Sequence, residues 1–241
     1  MNCQGSITHA VRAGDTLYAL ARRYHTHWQT ILALNPGLDP RSMQIGRVIT
    51  ICPGAPLQGA PVSSDALRQL SGDMRQAWAQ HVMWTRMLIL SMVDRLGDED
   101  PVTARLLQNP ALIAGIFARY YGQHSAGAIQ ALLTEHLAIG KELIGDLIRG
   151  DAQAAADANA RWYRNADDMA RAFAGLSPNY REAEMRAMLR HHLDLTKAEV
   201  SARMAHNYPQ DIAAYDRVDA QAVQMADMFT DGIAKQFPLS F

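Results

Sequence analysis

The chain holds few of the patterns that announce an enzyme, a membrane protein or a nucleic-acid binder. There is no Gly-rich phosphate loop, no G-x-S-x-G elbow, no H-E-x-x-H and no C-x-x-C, so no motif prepares a phosphate cradle, an activated serine or a peptidase zinc. No carboxylate pair stands out as a glycosidase acid and base, and no catalytic residue is assigned. No run approaches the ~20 apolar residues that a membrane helix needs. Net charge is −1, which leaves no basic footprint for nucleic acid or an anionic membrane. The split is mild: residues 1–53 carry five Arg against Asp15 and Asp39, or +3, leaving −4 for the rest. Hydrophobic residues make up 49% and charged ones 20%, the balance of a folded globular chain.

What is present begins at residue 8. THAVRAGDTLYALARRYHTHWQTILALNPGLDPRSMQIGRVITICP (8–53) opens with a β-like run from Thr8 to Arg12 and a Gly14-Asp15-Thr16 turn. Asp15 or Thr16 can cap the helix that follows. Leu17, Leu20, Ala21 and Tyr24 share one face of it, and Trp28, Ile31, Leu32 and Leu34 do the same in a second short helix. Asn35-Pro36-Gly37 stops that helix, and Arg47 to Ile51 reads as a closing strand. The two cysteines, Cys3 and Cys52, bracket the segment. Antiparallel strands would bring them near each other, so a disulfide and two free thiols both stay open, depending on compartment.

The order and spacing of these landmarks resemble a LysM module, the small βααβ fold that binds N-acetylglucosamine-containing glycans such as peptidoglycan. The resemblance implies a shallow groove between the loop after the first strand and the loop before the last, lined by Gly14, Asp15, Thr16, Leu17, Asn35, Pro36, Gly37, Leu38 and Asp39. The Asp and Asn side chains and backbone groups would hold the N-acetyl arm, over an apolar bed of Leu17 and Leu38. Where the family usually has an aromatic or Tyr-Thr-Val, this chain begins its strand His9-Ala10-Val11. A single module should bind weakly, so homo-oligomerisation through the rest of the chain is a functional expectation. MNCQGSITHAVRAGD lacks a basic segment followed by an apolar core. The expectation is therefore a protein made in the cytoplasm and associated with the cell wall or spore through lysis, an unusual export route or engulfment.

PGAPLQGAPVSS (53–64) carries three Pro and two Gly among twelve residues, a spacer composition. It divides the chain into 1–53, a linker 54–64 and a second domain 65–241. Helical periodicity then runs to the end, with helices expected at 65–96, 101–122, 125–149, 151–175, 180–206 and 209–236. The fold class is thus a small α+β domain followed by an all-α bundle of about six helices, arranged as three αα-hairpins.

A threefold repeat carries that arrangement. MRQAWAQHVMWTR (74–86), IQALLTEHLAIGK (129–141) and MRAMLRHHLDLTK (185–197) align without gaps, and place His81, His136 and His192 at intervals of 55 and 56 residues. Asn109, Ile113, Ala114 and Phe117 recur as Asn165, Met169, Ala170 and Phe173, with Ile212 and Ala213 as a weaker third copy. Each histidine lies on the apolar stripe of its helix, and the residues at i+4 are small. Aligning Ile212 with Ile113 and Met169 puts Asp216 on the core stripe, so His81, His136, His192 and Asp216 form a candidate transition-metal site. The alternatives are a structural polar core, a small-ligand pocket or a catalytic role. The twelve Met and four Trp read as core filling, and the Glu-x-x-His pairs of di-iron bundles are absent.

QHVMWTR (80–86), LLTEHLAIG (132–140), WYRNADDMA (162–170) and DIAAYD (211–216) resemble segments of a family of helical proteins from spore-forming Gram-positive bacteria, sometimes labelled acetylglutamate kinase. This sequence lacks the α/β sheet and phosphate loop that such a kinase needs. The reading is a non-enzymatic wall- or spore-associated glycan-binding protein with a structural bundle. The alternative is a metal-binding bundle, redox or hydrolytic, delivered by the same module.

Overall fold

The structure is a computed structural model that describes residues 5–12, 15–26, 28–38, 43–54 and 64–241. The chain divides into two compact units, Met1–Val62 and Ser63–Phe241. Residues 55–63, most of the expected linker, lie outside the described residues, as does Cys3. Cys52 is buried and disulfide-bonded.

The first unit runs β1 (Ile7–Ala10), α1 (Leu17–Arg23), α2 (Trp28–Leu34) and β2 (Val48–Ile51). The strands pair antiparallel, with Ile7 opposite Ile51 and Ala10 opposite Val48. A ribbon of two strands is marginal alone. It holds because Ile49 and Ile51 turn inward onto Val11, Leu17, Leu20, Ala21, Ile31 and Leu38, one apolar cluster with Tyr24, Trp28, Leu32 and Met43 at its edge.

The second unit is helical throughout: α3 (Ser64–Val93), α4 (Glu99–Leu106), α5 (Asn109–Arg149), α6 (Ala152–Leu176), α7 (Glu182–Met204) and α8 (Tyr208–Gln236). Gly122 (φ 81°, ψ 164°) leaves helical geometry and divides α5, so its first part completes one hairpin with α3 and its second part begins the next with α6. The expected helix 101–122 is broken instead at Leu107-Gln108, and Asn109-Pro110 restarts it with proline in the first turn, where no amide hydrogen is missed. Asp151 caps α6 through Ala154 N, Asn207 caps α8 through Gln210 N, and Gly150 ends α5 in the left-handed region, as a C-terminal glycine can without Cβ strain.

α3 packs on α8, α5 and α4, and α6 lies between α5 and α7. The core is layered. Met74, Ile129 and Met185, equivalent in the repeat, are all buried, and the rings of Phe117, Phe173 and Phe229 form one layer, with centroids 4.5–5.4 Å apart. The third copy of the second-helix pattern therefore differs from the sequence expectation. Asn165, Met169, Ala170 and Phe173 recur 56 residues on as Gln221, Met225, Ala226 and Phe229, all buried. Ile212 is 56% exposed. Among the described residues no helix is long and apolar enough to cross a membrane.

Candidate functional site

In the first unit both expected groove loops are tied to the ribbon. His9, buried in β1, contacts Tyr24 Oη through Nδ1 (2.9 Å) and Asp15 Oδ2 through Nε2 (2.7 Å). The same carboxylate oxygen accepts from Arg12 N at 2.8 Å. These bonds hold the Asp15 carboxyl below the usual aspartate range, the His9 bond most of all. Thr16 is the cap of α1, its hydroxyl accepting from Ala19 N at 3.0 Å. Asn35 staples α2 to β2: its amide donates to Ile31 O and Thr50 O (2.6 and 2.7 Å), and its Oδ1 accepts from Thr50 N (2.8 Å).

Leu17 and Leu38 are core residues, 4% and 5% exposed. Pro36 and Gly37 are exposed, and Gly37 has φ +78° with its carbonyl accepting from Arg47. Gly14 and Asp39 lie outside the described residues. The side chains of Asp15, Thr16 and Asn35 thus shape the loops, while Pro36, Gly37 and Thr16 present surface. His9 and Thr50, which anchor the two loops, are one register step apart in the ribbon. The structure gives His9, where the chain departs from the usual LysM strand, a partner in Asp15, six residues on.

The bundle brings its three repeated histidines together. His81 on α3, His136 on α5 and His192 on α7 are 3–4% exposed, and their ring centroids stand 5.8, 6.2 and 6.5 Å apart. One ring nitrogen from each lies within 4.8 Å of the others. Every Nδ1 meets a side-chain amide oxygen of its own hairpin: Asn109 at 3.0 Å, Asn165 at 3.2 Å and Gln221 at 2.9 Å. Each amide nitrogen donates to the carbonyl four residues before its histidine, respectively Ala77, Leu132 and Met188.

Because the amide nitrogen is committed to a carbonyl, its oxygen faces the ring, and Nδ1 must carry the proton. Nε2 therefore holds the lone pair. No hydrogen bond reaches any of the three Nε2 atoms among the described residues. Burial pushes the His81 imidazole down to about 3 and His192 down to about 4, and His136 falls well below its ordinary value for the same reason. All three rings are neutral at physiological pH.

A cavity of about 30 Å³ abuts the three rings, roughly the volume share of one water. The small i+4 residues Thr85, Gly140 and Thr196 line it, with Lys141 and Trp162 among the remaining walls. The hydroxyls of Thr85 and Thr196 donate to His81 O and His192 O (2.8 and 3.0 Å). In the middle hairpin Trp162 Nε1 donates to His136 O instead (3.0 Å) and its ring stacks on His136.

Asp216 is exposed and outside this layer. Its expected inward placement came from aligning α8 thirteen residues early, at Ile212 rather than Met225. The constant 56-residue offset, carried past Asn165, marks Gln221. The buried carboxylate on α8 is Asp211, which with Glu199 accepts from Arg86 (2.9 and 2.7 Å) and also pairs with Arg203. Burial pushes the Glu199 carboxyl up to about 7 against the opposing pull of Arg86.

Arg86, Lys141 and Lys197 hold equivalent repeat positions and close a ring of contacts between hairpins. Arg86 reaches Asp211 and the Tyr215 face (4.8 Å), Lys141 reaches Glu99 and Thr103 (both 3.0 Å), and Lys197 reaches Asn159 (3.3 Å). The histidines thus tie each hairpin to itself, and the cations tie each to a neighbour.

A family model described as LysM domain matches residues 9–51. No curated protein and no solved structure matches the chain.

Proposed function

We propose that the LysM domain at residues 9–51 is an address, holding the protein to peptidoglycan or a related N-acetylglucosamine polymer of a bacterial cell wall or spore, and that the bundle is what it delivers. The family match over residues 9–51, which covers both helices and the second strand of the βααβ unit, carries this reading. The geometry supports it: the loops that flank the family's sugar groove are held at fixed positions by His9–Asp15 and Asn35–Thr50, so backbone groups are preorganised for a ligand. The disulfide at Cys52 suits an oxidising surrounding. The bundle has a scaffold or assembly role in this reading.

Co-sedimentation of the full chain with purified peptidoglycan tests it. The chain is expected in the pellet, released by N-acetylglucosamine oligomers, and soluble when residues 1–54 are removed. Equal retention of the truncated chain would refute the reading. One module binds weakly, and joining several raises retention by effective concentration. A homo-oligomer by light scattering is therefore expected, and a strictly monomeric mass would count against it.

A further inference from the structure

We propose that His81, His136 and His192 form a three-imidazole site for a divalent first-row transition ion, zinc foremost, with one coordination position left open to the adjoining cavity. The inference is independent of the glycan reading.

It rests on an imbalance of donors and acceptors. Three neutral rings converge so that one nitrogen of each lies within 4.8 Å of the others, and among the described residues no donor meets any of their three Nε2 lone pairs. Two acceptors and a donor would settle by a hydrogen bond. Three acceptors repel, and a water has only two hydrogens to offer. A metal cation satisfies all three at once, and neutral imidazole is the form that ligates.

The surroundings match what holds a metal rather than what merely fills a core. Each ligand's far nitrogen is fixed by an amide oxygen, and each amide by a backbone carbonyl. This outer support sets ring orientation and tautomer. It is built three times, at offsets of 28, 29 and 29 residues, the last time with Gln221 in place of Asn, whose longer reach still meets His192 Nδ1 at 2.9 Å. The spacing is compatible. At zinc–nitrogen distances of about 2.0–2.1 Å the nitrogens of a tetrahedral site stand about 3.4 Å apart, so each moves inward by at most about 0.8 Å from the present 4.8 Å limit.

The ligand set is nitrogen only, which suits zinc, cobalt, nickel or copper above magnesium or calcium. Three protein ligands leave a fourth position, the pattern of sites that bind water or substrate rather than of closed structural ones. The cavity by Thr85, Gly140 and Thr196 has room for one such water. The two threonine oxygens, each with its hydrogen on a backbone carbonyl, keep lone pairs that can accept from it.

The test uses the full chain, stripped with a chelator and reconstituted with zinc sulfate or cobalt(II) chloride alone. One equivalent is expected per chain, with visible cobalt bands of the intensity given by four or five ligands. X-ray absorption at the zinc edge should show three imidazoles. His136→Ala should abolish binding, and Asn165→Ala should weaken it about 10–100-fold while the helical circular dichroism persists. His124→Ala, at an exposed position, should change nothing. Less than about a tenth of an equivalent in the folded chain would overturn the proposal. So would binding that survives His136→Ala, or an absorption spectrum with fewer than three imidazoles, which needs no variant to fold.

Discussion

The middle hairpin departs from the other two at a pair of positions, and exchanging both should restore what exchanging either destroys. Gly140 stands where the neighbours have Thr85 and Thr196, and Trp162 stands where they have Leu106 and Val218. A Cβ at Gly140 would lie 3.3 Å from Trp162 Cζ2 and 3.4 Å from Cε2, closer than a well-packed ring tolerates. Gly140→Thr alone therefore overpacks the layer by about 1–3 kcal/mol, offset by a few tenths from better helix propensity. Trp162→Leu alone removes the ring stacked on His136 and the donor to His136 O, at about 3 kcal/mol.

Simple addition predicts a loss of about 4–6 kcal/mol for the pair. In the double variant the clash disappears, and a threonine hydroxyl can donate to His136 O as Thr85 and Thr196 do to theirs. The loss should fall to about 2–3 kcal/mol, a coupling of about 2 kcal/mol. Urea unfolding of all four chains, in chelator so that no metal contributes, measures the cycle. Additivity within about 0.5 kcal/mol would refute the claim that Trp162 and Gly140 substitute together for a threonine.

Three further outcomes follow from single contacts. Asn35→Ala removes three hydrogen bonds, two of which join α2 to β2, and should destabilise the first unit by about 2–3 kcal/mol. Faster hydrogen exchange in residues 43–54 and loss of peptidoglycan retention would register it, and unchanged exchange would contradict the staple. Arg86→Met leaves Glu199 and Asp211 buried without their shared cation, at about 3–5 kcal/mol near neutral pH. Glu199 already titrates at about 7 in the folded state against 4.5 unfolded. The folded variant takes up more protons, so its deficit should shrink at pH 5 relative to pH 8; a pH-independent deficit would contradict the assignment. Gly232→Ala places a Cβ 1.9 Å from the ring of buried Tyr180, whose hydroxyl is fixed on Phe229 O, and should lower the thermal midpoint by about 6–12 °C, the equivalent of about 3 kcal/mol in a chain of this size.

Hydrophobic period, proline and glycine made the fold class legible, because helix faces and breaks are local. The βααβ order of 8–53 and the all-helical second domain needed no long-range information. The histidine repeat was also legible, since each copy stands in the same apolar frame. What escaped was register in α8. Nothing local distinguishes Ile212-Ala213 from Met225-Ala226, and only packing shows that the first pair faces out and the second lies buried. Misplacing it brought in Asp216 and hid Gln221, whose role depends on a helix 29 residues away in sequence. The loop residues of the first unit illustrate a second limit. Asp15 and Asn35 are legible as turn and helix-end residues, but a carboxylate held by His9 and an amide held by Thr50 are fixed by contacts that no spacing rule contains.

The histidine layer also predicts how the bundle meets acid. In the unfolded chain each imidazole takes a proton near 6.5, whereas the folded values lie at about 3 for His81, about 4 for His192 and well below 6.5 for His136. Folded values below unfolded ones mean that the unfolded chain binds more protons at any pH between them. Stability is therefore fully present above 6.5 and is lost as pH falls through that window. A histidine whose folded value lies well below the ambient pH contributes a slope of up to about 1.4 kcal/mol per pH unit, so His81 and His192 together give up to about 3 kcal/mol per unit near pH 5, and His136 acts in the same direction. That is a large share of the roughly 5–15 kcal/mol available to a domain. The metal-free bundle should therefore lose stability steeply as pH falls from 6 toward 4, against a smaller opposing gain as Glu199 protonates. Replacing all three by leucine, which asks for no partner, should flatten the slope and raise stability at pH 5. Zinc in excess should stabilise the wild-type chain most near neutral pH, by RT ln(1 + [Zn]/Kd), and progressively less as protons compete for Nε2. Urea midpoints from pH 4 to 8, with chelator and with zinc, separate these terms. A wild-type slope equal to that of the leucine variant would show that the three imidazoles are not held neutral by the fold.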